Sequence, residues 1–393
     1  MKILIFSWRD IKFPGWGGAE VLTLKLAKSW VAKGHKVHIV SAKSPGAKDE
    51  EVIEGVKIFR PAKFYNHSPL EYLVYLYRTA KFYRRKLTGK YDLVIDQVHG
   101  LPFFTPFFVK ETVILFPLEV AKSIWFYEIR FPYSLIGYLL ELTYIKIFSH
   151  IPFLTISSST ANDLTNLGVK DVYTITPGRN LPPLKHLPHK SKHPLLVSLG
   201  RITEMKRIED TIYAFRLLHK ELPNIKLVVA GQGKEKYFKR LKEICHTIAI
   251  DDRVSFPGYI SEKEKRRLLN HAWLLVSTSL REGWGLTVIE AATCGTPTVA
   301  YKVAGLVDSI KNQETGFLCQ RDNPQELVKN IRRLLINPSL RRKISQNALN
   351  YSRQFSWEKT AEETLVIFKK TIKAKKRGVT LSRLPDKSLK APR

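Results

Sequence analysis

The chain has 393 residues, 44% of them hydrophobic, enough for sizeable cores and, by length, for two domains. Its 65 Lys and Arg against 35 Asp and Glu give a net charge of +30 shared by both halves, which argues for anionic partners: nucleotides, phospholipid headgroups or nucleic acid. Three cysteines, Cys245, Cys294 and Cys319, show no metal spacing and no even-numbered framework, so a disulfide scaffold is excluded and a reducing cytoplasm is expected.

The first strand is predicted at 3–7, too short an apolar run for a signal peptide. A glycine-rich loop, Pro14-Gly15-Trp16-Gly17-Gly18, leads into an amphipathic helix over 19–33, which Gly34 stops. A strand at 37–40 completes a βαβ unit with a parallel sheet. Residues 63–90 mix aromatics, among them Tyr65, Tyr72, Tyr75, Tyr77 and Tyr83, with cations. Helical spacing puts Arg78, Lys81 and Arg85 on one face, with Arg84 alongside. A second aromatic cluster, Trp125, Phe126, Tyr127, Phe131 and Tyr133, precedes the end of the greasiest segment, 131–148. That segment carries Glu141 and Lys146 and falls short of a membrane span. Basic amphipathic surfaces with aromatics suit an anionic membrane interface, so Arg78, Lys81, Arg84 and Arg85 are the expected membrane contacts.

The strand–helix pattern restarts after a Pro- and Lys-rich stretch. Strands are predicted at 195–199, 227–230, 273–277 and 297–300, with helices at 208–220 and 286–294. The expected domains are 1–178 on the acceptor side, a linker at 179–194, and a nucleotide-binding domain at 195–357. A helix at 358–372 is expected to pack back toward the first domain, followed by a basic disordered tail at 373–393. Two doubly wound domains place the expected ligand cleft between them.

The most informative stretch runs Ser277-Thr-Ser-Leu-Arg-Glu282-Gly-Trp-Gly-Leu-Thr-Val-Ile-Glu290 and on to Pro297. A strand ends, a loop carries Glu282, Gly283, Trp284 and Gly285, and a helix starts near Leu286. Glycines let the backbone approach a ligand, and a helix N-terminus suits a phosphate. A carboxylate beside a phosphate is electrostatically wrong unless it binds hydroxyls or stabilises positive charge, and a sugar, a ribose and an oxocarbenium-like transition state offer these.

This block resembles the retaining glycosyltransferases of family 4, through E-x7-E from Glu282 to Glu290. Gly200-Arg201-x4-Lys206 resembles that family's phosphate motif, Gly17-Gly18 its N-terminal glycine pair, and Asp308-Ser309 with Thr315-Gly316 its closing turn. The resemblance implies the GT-B fold, an α/β architecture of two facing Rossmann-like doubly wound domains with an interdomain cleft. It implies that Arg201 and Lys206 grip the diphosphate, that Glu290 holds the ribose and Glu282 the transferred sugar, and that the backbone of 283–286 sits on sugar and phosphate. Tyr259 would lie near the base, and Gly17 and Gly18 would approach the diphosphate from the other domain. Many family members also carry a histidine at a strand end of the N-terminal domain. The comparable segment, 112–119, has none, so His99 and Glu119 are the candidates for that catalytic partner.

No Asp-x-Asp occurs, so no metal is expected and cationic side chains must steady the leaving diphosphate. No cofactor is expected beyond the donor itself, a UDP- or GDP-sugar. The expected acceptor is a glycan or lipid-linked hydroxyl in envelope polysaccharide or glycolipid synthesis, served from the cytoplasm with room for peripheral attachment at the inner membrane face. A sugar-phosphate synthase would share the fold. A basic nucleic-acid-binding protein would fit the charge, but no helix-turn-helix, RNA-recognition or finger signature appears and the paired glutamates would go unexplained.

Overall fold

A computed structural model describes residues 1–64 and 69–378. The chain forms two compact α/β units: Met1–Gly178 joined by the C-terminal segment from Trp357, and Arg179–Ser356. Unit 1 has strands β1 (Lys2–Phe6), β2 (Lys36–Lys43), β3 (Glu50–Ile53), β4 (Val56–Lys63), β5 (Leu93–Val98), β6 (Thr112–Pro117), β7 (Phe153–Thr155) and β8 (Val172–Thr174). They lie in the order β3-β4-β2-β1-β5-β6-β7-β8, parallel throughout except for the β3–β4 hairpin. β5 and β6 are buried at every position, as central parallel strands covered on both faces must be.

The helices of this part are α1 (Gly18–Ala32), α2 (Pro69–Lys86), α3 (Trp125–Glu128), α4 (Tyr133–Ile147) and α5 (Ser158–Asn166). Register aligns Leu4 with Val94, Val94 with Val113, and Leu115 with Phe153, so these side chains share one face. α2 buries Tyr75 and Tyr83 among Leu4, Val94 and Val113. α4 buries Tyr144 and Ile145 against Leu115 and Phe153. Both helices therefore cover the same side of the sheet. The β1-to-β2 crossover runs the other way along the sheet, and the usual right-handedness puts α1 on the opposite side.

Unit 2 has β9 (Leu195–Leu199), β10 (Lys226–Ala230), β11 (Val254–Gly258), β12 (Leu274–Ser277), β13 (Thr298–Tyr301) and β14 (Gly316–Cys319). All are parallel, in the order β11-β10-β9-β12-β13-β14. Its helices are α6 (Ile208–Glu221), α7 (Glu235–Thr247), α8 (Glu262–His271), α9 (Leu286–Thr293), α10 (Leu306–Ser309), α11 (Pro324–Ile336) and α12 (Pro338–Ser352).

Two expectations are corrected. The stretch 179–194 is no free linker: Leu181 joins the unit 2 core, Leu184 N donates to Thr293 O (3.0 Å) and Ser191 N to His271 O (3.0 Å). The last helix, α13 (Trp357–Arg377), runs past the expected end at 372. Thr371 and Ala374 are buried, and Lys375 Nζ donates to the carbonyls of Lys110 (2.8 Å) and Glu111 (2.5 Å), which holds the extra turn in place. The rest of the expected tail, from 379, lies outside the described residues, as does Tyr65.

Candidate functional site

From β9 the chain of unit 2 steps outward to β10 and β11, then crosses to the other side of β9 to lay down β12. Loops at the carboxyl ends of β9 and β12 thus diverge and leave a crevice, the usual ligand position in such sheets. The pocket there is lined by Gly200, Arg201 and Lys206 from one loop and Ser277, Thr278 and Ser279 from the other.

The two loops are stitched together. Leu280 N donates to Met205 O (2.8 Å), and Thr278 Oγ1 donates to the carbonyls of Lys206 (3.0 Å) and Arg207 (2.7 Å). Lys206 Nζ pairs with Glu282 Oε1, which also accepts from Ser279 Oγ (2.7 Å). Two motifs 76 residues apart in sequence thus meet at one carboxylate. Arg201 is exposed at the rim of the pocket.

Close backbone approach explains the glycines. A Cβ on Gly231, after β10, would lie 1.7 Å from Gly200 O, and one on Gly305 would lie 2.1 Å from Glu282 O. The Glu282 peptide is pressed against the turn that starts α10, where Asp308 Oδ2 accepts from Gly305 N (3.2 Å). Gly285, at φ 96°, turns the chain into α9. Gly283 and Leu286 flank that turn, while the Trp284 side chain is buried edge-on against Phe355, ring centroids 6.0 Å apart.

Glu290, one turn into α9, is 3% exposed. Its Oε1 accepts from Asn180 Nδ2 (2.8 Å) and Lys265 Nζ (2.9 Å). Burial pushes its carboxyl up, and the Lys265 charge and the Asn180 bond pull it only part of the way back. Tyr259 is exposed just beyond the edge strand β11 and does not line the pocket. Among the described residues no group of three or more His, Cys, Asp or Glu side chains is placed to hold a metal ion.

In unit 1, Gly17 N donates to Glu20 Oε2 (2.7 Å) at the start of α1, and Arg9 Nε reaches Glu20 Oε1 (3.1 Å). Burial pushes the Glu20 carboxyl up, but His99, Arg9 and the Gly17 N–H together hold it below its ordinary value. The glycine pair Gly17-Gly18 and His99 are thus brought near one buried carboxylate. Val98 pairs in register with Pro117, so His99 and Glu119 follow neighbouring strand ends.

Arg78, Lys81, Arg84 and Arg85 are exposed on the outer side of α2. Of the aromatics expected beside them, Tyr75 and Tyr83 are fully buried and, among the described residues, only Tyr77 is strongly exposed; most of that described stripe is core, because it faces the sheet.

Asn180, Lys265, Ser279 and Glu20 are functional contacts to which no motif assigns a role. Ser279 lies within the 277–297 block, three residues before Glu282, so its position is a usable signal. Lys265 sits in Glu-Lys-Glu-Lys-Arg-Arg, which reads as a solvated helix face and carries no such signal.

The family profile for glycosyl transferases group 1 matches residues 184–351, within unit 2, and that for glycosyltransferase family 4 matches 16–112, within unit 1. An uncharacterised glycosyltransferase of Methanocaldococcus jannaschii is 24% identical over 398 positions, covering 94% of this chain and 98% of the relative. A D-inositol 3-phosphate glycosyltransferase of Streptomyces bingchenggensis is 28% identical over 186 residues, 45% of this chain and 41% of its own length. Among solved structures, sucrose-phosphate synthase of Thermosynechococcus elongatus has a TM-score of 0.81 at 20% identity, over 95% of this chain and 99% of that one. HepE of Anabaena, in complex with UDP and glucose, has a TM-score of 0.72 at 16% identity, over 94% and 99%. At these identities the structural likeness bears on the fold alone.

Proposed function

Because the chain belongs to the group 1, family 4 glycosyltransferases of the GT-B fold, we propose that it transfers a hexose-type sugar, with retention, from a nucleoside diphosphate to a hydroxyl acceptor. The carrying observation is the meeting of Lys206 and Glu282 at the switch point of the unit 2 sheet, beside Arg201. In this reading Arg201 takes the diphosphate as a planar fork and Lys206 as a point charge. Lys206 also neutralises Glu282, so the carboxylate accepts sugar hydroxyls without repelling the phosphates. Glu290 accepts ribose hydroxyls, held in position by Asn180 and Lys265. The backbone of 283–286 contacts sugar and phosphate, and Tyr259 borders the base.

The step breaks the bond from the anomeric carbon to the β-phosphate oxygen. It forms a bond from that carbon to the acceptor oxygen on the same face, and the acceptor's proton passes to the departing phosphate. The cations stabilise the charge that develops there, so the reaction is proposed to need no metal and no cofactor. The donor nucleotide is proposed to be UDP or GDP; HepE, a neighbour in fold, is in complex with UDP and glucose, so UDP is tested first. The acceptor is proposed to be a glycan or lipid-linked hydroxyl in envelope polysaccharide or glycolipid synthesis. The cations of α2 would hold the protein peripherally at an anionic membrane surface.

A thermal-shift screen against UDP-, GDP- and ADP-sugars tests the donor. A sugar nucleotide at about 100 times its Kd stabilises by about 2.7 kcal/mol. Glu290→Ala should weaken donor binding, and Glu282→Ala should lower turnover more than binding. His99→Ala and Glu119→Ala test the assignment in unit 1. Full activity in the Glu282 and Glu290 variants would end this reading.

A further inference from the structure

We propose that α4, more than the cation stripe of α2, is the part of unit 1 that enters a lipid surface, lying flat with its outer face in the headgroup–acyl boundary of an anionic bilayer. This rests on the membrane reading above and names the element that makes the contact and the force that holds it.

The outer side of α4 carries Leu135, Ile136, Leu139 and Leu140, continued by Ile147. Their spacing of three, four and five puts them on one stripe. Ile136 is 49% exposed and Leu139 52%, and in the turn before the helix Phe131 is 76% exposed. The inner side is already satisfied by Tyr144 and Ile145 in the core. A helix that packs one face on a sheet normally has a polar outer face, so α4 is apolar where water would be. Its one carboxylate, Glu141, is buried and accepts from the N–H groups of Ala121 (2.7 Å) and Lys122 (2.8 Å). Its one exposed charge is Lys146.

What should cover this face follows from charge. α2 lies on the same side of the sheet, with Arg78, Lys81, Arg84 and Arg85 exposed and none of them in an ion pair among the described residues. The only acid of α2 is Glu71, in its first turn. Hydrocarbon beside unbalanced cations matches a layer that is anionic at its surface and apolar beneath, which is the profile of an interfacial helix. Insertion is in-plane: α4 has 15 residues, about 22 Å of helix, and no described helix is long and apolar enough to cross a membrane.

The test is co-sedimentation of the full chain with vesicles of phosphatidylcholine alone and with added phosphatidylglycerol, at about 0.05 M and about 0.5 M salt, where purely electrostatic adsorption is screened away. The wild type should bind the anionic vesicles and retain a clear bound fraction at high salt. Ile136→Asp with Leu139→Asp should lower partitioning on the order of tenfold or more and abolish the salt-resistant fraction. An unchanged melting curve shows that the variant is folded. Arg84→Glu with Arg85→Glu should weaken low-salt binding and spare the salt-resistant part. If the wild type binds but is fully released by salt, or the α4 variant binds as the wild type does, the inference falls and the α2 reading stands. If the wild type binds no anionic vesicle even at low salt, the membrane reading itself falls. Loss of a dimer in the α4 variant, without vesicle binding by the wild type, would make this face a contact between copies.

Discussion

Glu290 is the residue on which the donor reading is most exposed to test, because it is a buried carboxylate whose charge depends on Lys265. The Lys265 side chain is 12% exposed, so Lys265→Met removes one half of a buried pair. Breaking such a pair costs roughly 3 kcal/mol. The carboxyl, already raised by burial, should rise further without its cation. Affinity for a nucleoside diphosphate that needs the carboxylate should then decline at a higher pH in the variant than in the wild type as pH is lowered. Calorimetric titration with UDP across a pH series, beside urea unfolding, separates this from loss of stability alone. Asp96 gives a second pH signature at this scale. Burial pushes its carboxyl up to about 6, although Phe103 N, Thr105 N and Thr105 Oγ1 all donate to it. The folded chain keeps a proton there that the unfolded chain gives up near pH 4. Unfolding therefore releases protons in that window, and stability should decrease as pH rises from about 4 to about 6 and level off above. Asp96→Asn should flatten that slope in urea midpoints; an unchanged slope would place the titration elsewhere.

At the scale of the element, α9 is pinned at both ends. Gly285 and the Glu282 loop fix its start, and Lys190 Nζ reaches the Cys294 carbonyl (3.2 Å) and Thr296 Oγ1 (2.7 Å) at its end. Burial lowers the Lys190 ammonium to about 7, opposed by the Cys294 thiol and helped by the Arg341 charge. Above that pH the folded state binds fewer protons than the unfolded state, so stability should rise with pH from about 7 toward 10. Lys190→Met should remove the rise, as read by chemical denaturation at pH 7 and 9. The βαβ openings of both units were legible because hydrophobic periodicity and glycine stops are local: 19–33 was expected for a helix that spans Gly18–Ala32. The packing of 179–194 was not, since a Pro- and Lys-rich stretch looks solvated until one sees that its polar groups find partners around α9. The aromatic stripe of α2 was ambiguous in the same way. A sheet and a lipid both select apolar residues at helical spacing, and only the fold shows which face the tyrosines take.

For the whole molecule, the candidate donor site was legible as two motifs but not as one place, because nothing local says that Lys206 and Glu282 meet. That follows from strand order, which brings β12 next to β9. The same topology makes the two units unequal in how the chain builds them. Unit 2 is one continuous stretch, and its core from Leu181 to Ile344 draws, among the described residues, on none outside that stretch. Unit 1 needs both ends of the chain: Trp30 of α1 is 1% exposed, donates from Nε1 to Thr364 Oγ1 (2.8 Å) and meets Phe368 edge-on at 5.2 Å between centroids. Ending the chain at 356 would strip α13 from α1 and uncover that tryptophan. The loss should be at least about 3 kcal/mol, the scale of deleting a large buried aromatic. In scanning calorimetry the 1–356 fragment should show an early or missing transition for unit 1. Unit 2 should still melt cooperatively, and a 179–356 fragment should fold alone and bind UDP. If 1–356 melted like the full chain, α1 would owe nothing to α13; if 179–356 failed to fold, the unit 2 core would not be self-sufficient.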